Sequence, residues 1–251
     1  FSITITFLLY ATLTASTDSH PILSALLYPL GFVFIILGGY QLYTENTLPP
    51  VVLVLERLMS LPRLLKIWGI VILGNFTGGG FGALILARTG VLSPEAMDAA
   101  TYLAQKGVET DFWPLFFKAA FAGLIVAGVV WLVYAVRDSV ARLVIVYLAF
   151  LAVPLGNLYH SVVSFTELAF LAFTGAPVFL EGLVWFVFPV LLGNTVGGVL
   201  LVTVVNYFQT TEERLDIARR DGFDRELTVR ELLFGGLAGR SYVHKLVHEE
   251  E

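Results

Sequence analysis

The sequence predicts an all-α membrane protein, with six transmembrane helices arranged as two inverted halves of three and with helices 2 and 5 broken. Three observations carry this reading. The chain of 251 residues is 57% hydrophobic and 14% charged, with a mean hydropathy of +0.81. A soluble domain carries about 25% charged residues, so a bilayer must solvate much of this apolar surface. Next, Gly74-Asn75-Phe76-Thr77-Gly78-Gly79 has an echo 119 residues later in Gly193-Asn194-Thr195-Val196-Gly197-Gly198. Small residues let helices approach closely in lipid, an amide can hydrogen-bond across the contact, and a repeat at half-chain spacing is the mark of a duplicated transport fold. Finally, two apolar runs are interrupted by proline and polar residues, each just ahead of a Gly-Asn helix.

Residues 1–15 are too short for a span, which needs about 20 residues, and read as the second half of helix 1. Thr17 to Pro21 is a turn. Helix 2 is expected from Ile22 to Tyr43. Thr44-Glu45-Asn46-Thr47-Leu48-Pro49-Pro50 then breaks it near 44–48, with Thr47 as N-cap and proline in the first turn of a new half-helix. Arg57, Arg63 and Lys66 fall in the following loop. Helix 3 spans about Leu64–Ala87. The polar stretch 88–111 contains a helix start at Ser93-Pro94-Glu95. Helix 4 covers Phe112–Val136. Helix 5 starts near Leu143, breaks near 156–161 around Pro154 to Ser161, and resumes to Phe173. Helix 6 covers Gly182–Phe208. The division is a transmembrane channel domain, 1–209, and a charged, solvated cytoplasmic tail, 210–251.

Charge placement gives the topology. The 2–3 and 4–5 turns hold Arg57, Arg63, Lys66, Arg137 and Arg142, the tail holds seven more basic residues, and the opposite loops hold only Arg88 and Lys106. The positive-inside rule then puts both termini in the cytoplasm of a multi-pass inner or plasma membrane protein. Without cysteine there is no disulfide, thiolate metal site or thiol nucleophile. No basic stripe suits nucleic acid. No G-x-S-x-G, H-E-x-x-H or Walker loop is present, so neither an enzyme nor a cofactor or metal site is expected.

Taken together, Gly39-Tyr40-Gln41-Leu42-Tyr43-Thr44, Gly74-Asn75, Leu158-Tyr159-His160-Ser161-Val162 and Gly193-Asn194 through Gly198 resemble the formate/nitrite transporter family over 1–209. The segment from Gln41 to Thr47 looks like its YfdC-like branch. The resemblance implies an aquaporin-like fold, a homopentamer with one pore per protomer in the lipid bilayer, and passage of small monovalent anions such as formate, nitrite or hydrosulfide. It places the central His at His160 and the loop Thr at Thr44. Apolar constriction positions fall on Tyr28, Phe32, Leu42, Tyr43, Val126 and Val153. The family's span-4 Asn falls on Gly123, Glu45 and Glu167 depart from the pattern, and the vestibule Lys maps near Lys106.

His160 is the one histidine within the membrane region, and an intramembrane ionisable group usually faces a cavity. Its ordinary pKa of about 6.5 suits proton donation to an anion. The plain alternative is a neutral imidazole that holds the break in shape. Thr44 can donate to an anion or cap the half-helix. Ser164-Phe165-Thr166-Glu167 fits a capping box. Glu45 is protonated, paired with Lys118, or a sign that the permeant species is cationic or neutral. Lys118 can snorkel, pair or guide substrate. Asn75 and Asn194 are structural. The function expected is a channel or secondary transporter for small monovalent anions or their conjugate acids, possible rivals being a neutral-solute or water pore of the same shape and a membrane scaffold or sensor.

Overall fold

The computed structural model of the chain describes residues 1–205, 207 and 227–237. The chain is all-helical there. α1 is Ser2–Ser16, α2 Pro21–Ala25 and α3 Leu30–Gly38; a 3₁₀ turn, Glu45–Thr47, precedes α4, Pro49–Leu55. Then come α5 Leu61–Arg88, α6 Pro94–Val108, α7 Phe112–Ala135, α8 Ser139–Leu155 and α9 Ser161–Thr174. α10, Phe179–Gly182, runs through a π-helical turn, Leu183–Val187, into α11, Phe188–Val196, and a second π-helical stretch, Gly197–Val204. α12 is Val229–Phe234. Four stretches are long and apolar enough to cross a membrane: Pro21–Gly38, Leu61–Arg88, Phe112–Ala135 and Phe179–Leu200. α1, α8 and α9 are apolar but shorter. Outward side chains such as Leu73, Trp113, Phe121 and Val140 are large, apolar and exposed.

Both expected breaks are present, and they are built alike. α3 stops at Gly39, whose φ of 68° is the left-handed conformation glycine adopts freely. Its N–H reaches the Ile36 carbonyl, and that of Tyr40 reaches Ile35. These are the two bonds of a Schellman cap. α8 stops the same way: Asn157 takes φ 51°, its N–H bonds Pro154, and Leu158 N–H bonds Val153. Helix 2 therefore ends at Gly38, five residues before the expected Tyr43. Thr47 is not an N-cap: its hydroxyl donates 2.7 Å to the Thr44 carbonyl, and Leu48 precedes the proline turn of α4.

Other boundaries move for identifiable reasons. Helix 5 begins at Ser139 because the Asp138 carboxylate accepts the Ala141 N–H at 2.7 Å. Arg63 and Lys66 lie inside α5 rather than in a loop. Within 88–111, the Ser93 start opens a 15-residue helix, α6, which buries Ala96, Ala100, Ala104 and Gly107. This stripe, at spacings of four, four and three, packs α6 on α1 and α9.

The second Gly-Asn motif forms a seam between α11 and α7. A Cβ on Gly193 would run into the Phe116 carbonyl, one on Gly197 into that of Ala120, and one on Gly123 into that of Asn194. The first motif is less enclosed, since Gly74 has nothing within 4 Å on its open side. Part of the charged tail is docked. Leu227 N–H donates to the Arg57 carbonyl, Ser60 Oγ to Gly236, and Arg63 Nη1 to Leu237, at 2.9, 2.6 and 2.7 Å. The rest of the tail reading, for 210–226 and 238–251, and the expected end of helix 6 at Phe208 lie outside the described residues.

Candidate functional site: the meeting of the two breaks

Each Gly-Asn asparagine pins one break. Asn75 Oδ1 accepts the Tyr43 N–H at 2.9 Å, and its Nδ2 donates to the Gln41 carbonyl at 2.9 Å. Asn194 Oδ1 accepts the Ser161 N–H at 2.8 Å, and its Nδ2 donates to Tyr159 at 3.0 Å and Ala119 at 2.8 Å. Counted from the left-handed residue of each break, Gly39 or Asn157, the held carbonyl is the second residue on and the held N–H the fourth. A carboxamide suits this because it carries an acceptor and a donor on one carbon. Between the held groups lie Leu42 in one break and His160 in the other.

The pins bring Thr44 and His160 together. Thr44 Oγ1 and His160 Nε2 are 2.8 Å apart, and both residues are buried. The Thr44 hydroxyl makes no cap bond, and its partner is the His160 imidazole instead. His160 Nδ1 has no hydrogen-bond partner. Phe32 meets the imidazole edge-on at 4.9 Å, and stacks on Phe150 at 3.9 Å and 13°. Tyr28, Phe32, Leu42, Val126 and Val153 belong to one buried cluster with Phe150. Phe150 was missed in the sequence, where one aromatic in an apolar helix carries no signal. Tyr43 sits apart from that cluster. Its hydroxyl is 2.7 Å from Thr195 Oγ1, which itself donates to the Leu191 carbonyl, so the phenol is the donor. The Tyr43 ring meets Trp68 edge-on at 5.7 Å.

On one side the pair opens to a pocket lined by Tyr10, Tyr28, Leu103, Lys106, Pro154, Asn157, Leu158, Tyr159, His160, Val163, Ser164 and Glu167. Lys106 is thus in the same pocket wall as His160. Glu167 is buried here, and its capping box is absent: α9 starts at Ser161, held by Asn194, which leaves Ser164 in the helix body with its Oγ unpartnered. Lys118 Nζ lies 5.7 Å over the Tyr159 ring. Glu45 is half-buried in the 3₁₀ turn. Gly123 has no room for a side chain, so no amide from that position can orient His160. Among the described residues no cluster of potential metal ligands occurs.

Apolar outer faces around two interrupted helices that meet at a buried polar pair define a polytopic membrane protein of the broken-helix class, in which irregular backbone is sheltered by neighbouring helices. The formate/nitrite transporter family model matches residues 1–208, and the chain belongs to that family. The inner membrane protein YfdC of Escherichia coli is 29% identical over 185 residues, 72% of this chain and 59% of YfdC. Formate-nitrite transporter 3 of Toxoplasma gondii is 30% identical over 203 residues, 78% of this chain and 40% of that protein. The chain spans about 40 to 60% of the length of these curated relatives. Among solved structures, an FNT family ion channel superposes with a TM-score of 0.73 at 21% identity, over 84% of this chain and 88% of that one. A pentameric formate channel with formate bound gives 0.69 at 21% identity, over 83% and 92%. These likenesses establish the fold.

Proposed function

We propose that the protein is a channel or secondary transporter for small monovalent anions of the formate and nitrite class, or their conjugate acids. It has six spans in a 3+3 inverted repeat, and assembles as a homopentamer with one path per protomer. The observation that carries the reading is the Thr44–His160 contact at 2.8 Å, closed over by Phe32 and Phe150 and open to the Lys106 pocket. A hydroxyl and an imidazole can present hydrogen-bond donors to an anion, and the aromatic layer passes a neutral acid more readily than an ion. The matching pins of Asn75 and Asn194 support the repeat. The pentameric assembly of the formate channel supports the ring, and the open face of α5 around Gly74 supplies a surface for it. Arg57, Arg63, Arg137 and Arg142 at one end favour cytoplasmic termini and a membrane domain over 1–209 followed by a cytoplasmic tail.

The path runs past Tyr28, Phe32, Val153, Val126 and Leu42 to His160 and Thr44, with Tyr43 and Glu45 beyond. Reconstituted liposomes test it. Uptake of formate, nitrite and hydrosulfide is measured at about pH 5 and about pH 8, on either side of the ordinary imidazole range. Saturable, pH-dependent anion uptake is expected, and His160→Ala is expected to change its pH dependence. Swelling with glycerol or water alone would identify a neutral-solute pore, and no flux of any kind would leave a scaffold or sensor.

A further inference from the structure

His160, Ser164 and Glu167 are spaced four and three residues apart at the start of α9, so they fall on one face of the helix and rise together along it. All three line the pocket, and all three are buried, at 1, 1 and 7% exposure. His160 Nδ1 and Ser164 Oγ are buried in this wall without a hydrogen-bond partner. Buried polar atoms without partners are rare, and at a pocket wall they point to an occupant that completes them. A carboxyl in such a place is not explained by helix capping, and for an anion path its charge has the wrong sign.

We propose that Glu167 is the group that loads the proton accompanying each anion, with Ser164 and His160 as the relay toward Thr44. This rests on the anion-pathway reading. Lys106, exposed on α6, is the other charged side chain of the pocket wall. The phenols of Tyr10, Tyr28 and Tyr159 that share it stay neutral at ordinary pH. With Glu167 ionised, carboxylate and ammonium cancel and the pocket holds no net attraction for an anion. When Glu167 takes a proton from the vestibule, the Lys106 charge is uncovered and one monovalent anion can enter. The carboxylic O–H bond then breaks as a new O–H bond forms on the anion, the proton being relayed by the Ser164 hydroxyl and the His160 imidazole. The neutral acid passes the Phe32–Phe150 layer, and the Glu167 carboxylate is left to be reprotonated from the vestibule. Proton and anion therefore move one to one.

The test uses full-length protein in liposomes enclosing a pH dye, with formate gradients between about pH 5 and pH 8. Wild type acidifies the lumen by one proton per formate, with uptake rising toward acid. Glu167→Gln removes the proton-loading group but keeps the Lys106 charge uncovered. It is expected to lose most of the acid rise, with formate movement becoming electrogenic. Lys106→Ala, at an exposed position, removes a cation that favours the carboxylate, so the pH midpoint should move up by at least half a unit. If Glu167→Gln fails to fold, the Lys106→Ala midpoint decides alone. Folded Glu167→Gln with an unchanged pH profile, or Lys106→Ala with an unmoved midpoint, overturns this proposal and leaves the anion pathway standing. A wild type that moves formate without protons does the same. Absence of formate, nitrite and hydrosulfide flux in wild type overturns the pathway itself.

Discussion

Asn194 makes three buried hydrogen bonds with one side chain, one accepted by Oδ1 and two donated by Nδ2. Asn194→Ala strands the Ser161 N–H and two carbonyls, and should lower stability by on the order of 3 kcal/mol, read as a fall in the thermal midpoint in detergent. Asn75→Ala should cost about half as much, since Asn75 makes two bonds in a partly exposed setting. The sequence reveals the asparagines and His160 because a polar group in an apolar run stands out. It misplaces Glu167, because the start of α9 is set by Asn194, a partner 33 residues away from Ser161. A local pattern of Ser and Glu cannot register such a bond. The Thr44–His160 contact shows the same limit, because it joins residues 116 apart and no local pattern registers it.

At the scale of elements, the two breaks depend on left-handed residues at Gly39 and Asn157. Asn157→Gly should change stability by less than about 1 kcal/mol, whereas Asn157→Val should cost about 1–2 kcal/mol or more, because a branched side chain resists that conformation. Thermal denaturation of the two variants separates the cases. Pro49-Pro50 marked the restart of helix 2 from local chemistry alone. The end of α3 was less legible, because Gly38-Gly39 sits in an apolar run that continues to Tyr43. The seam of α7 and α11 gives a second comparison. Gly197→Leu should prevent folding, since even a Cβ meets the Ala120 carbonyl, while Gly74→Leu should leave the protomer intact. Circular dichroism and size-exclusion chromatography check both.

In the whole molecule, that difference between the two glycine motifs becomes a statement about assembly. If the open face of α5 joins protomers, Gly74→Leu should weaken the proposed ring, and native mass spectrometry should show lower oligomers than for the unaltered chain. The bundle and its pairing of long and interrupted helices were legible from hydropathy and proline placement. The docking of 227–237 on the α4–α5 corner was not, because it rests on backbone carbonyls that any sequence supplies. The paired asparagine pins have a mechanical consequence. A carboxamide that holds a carbonyl and an N–H two residues apart leaves that stretch of chain little freedom to flex. If the proposed path passes Phe32 and Phe150, its opening falls to rotation of those rings, with the loops acting as fixed mounts: a swinging door in a rigid frame. Amide hydrogen exchange at Tyr43 and Ser161 should then be slow and the same with and without permeant anion, even while the rings turn.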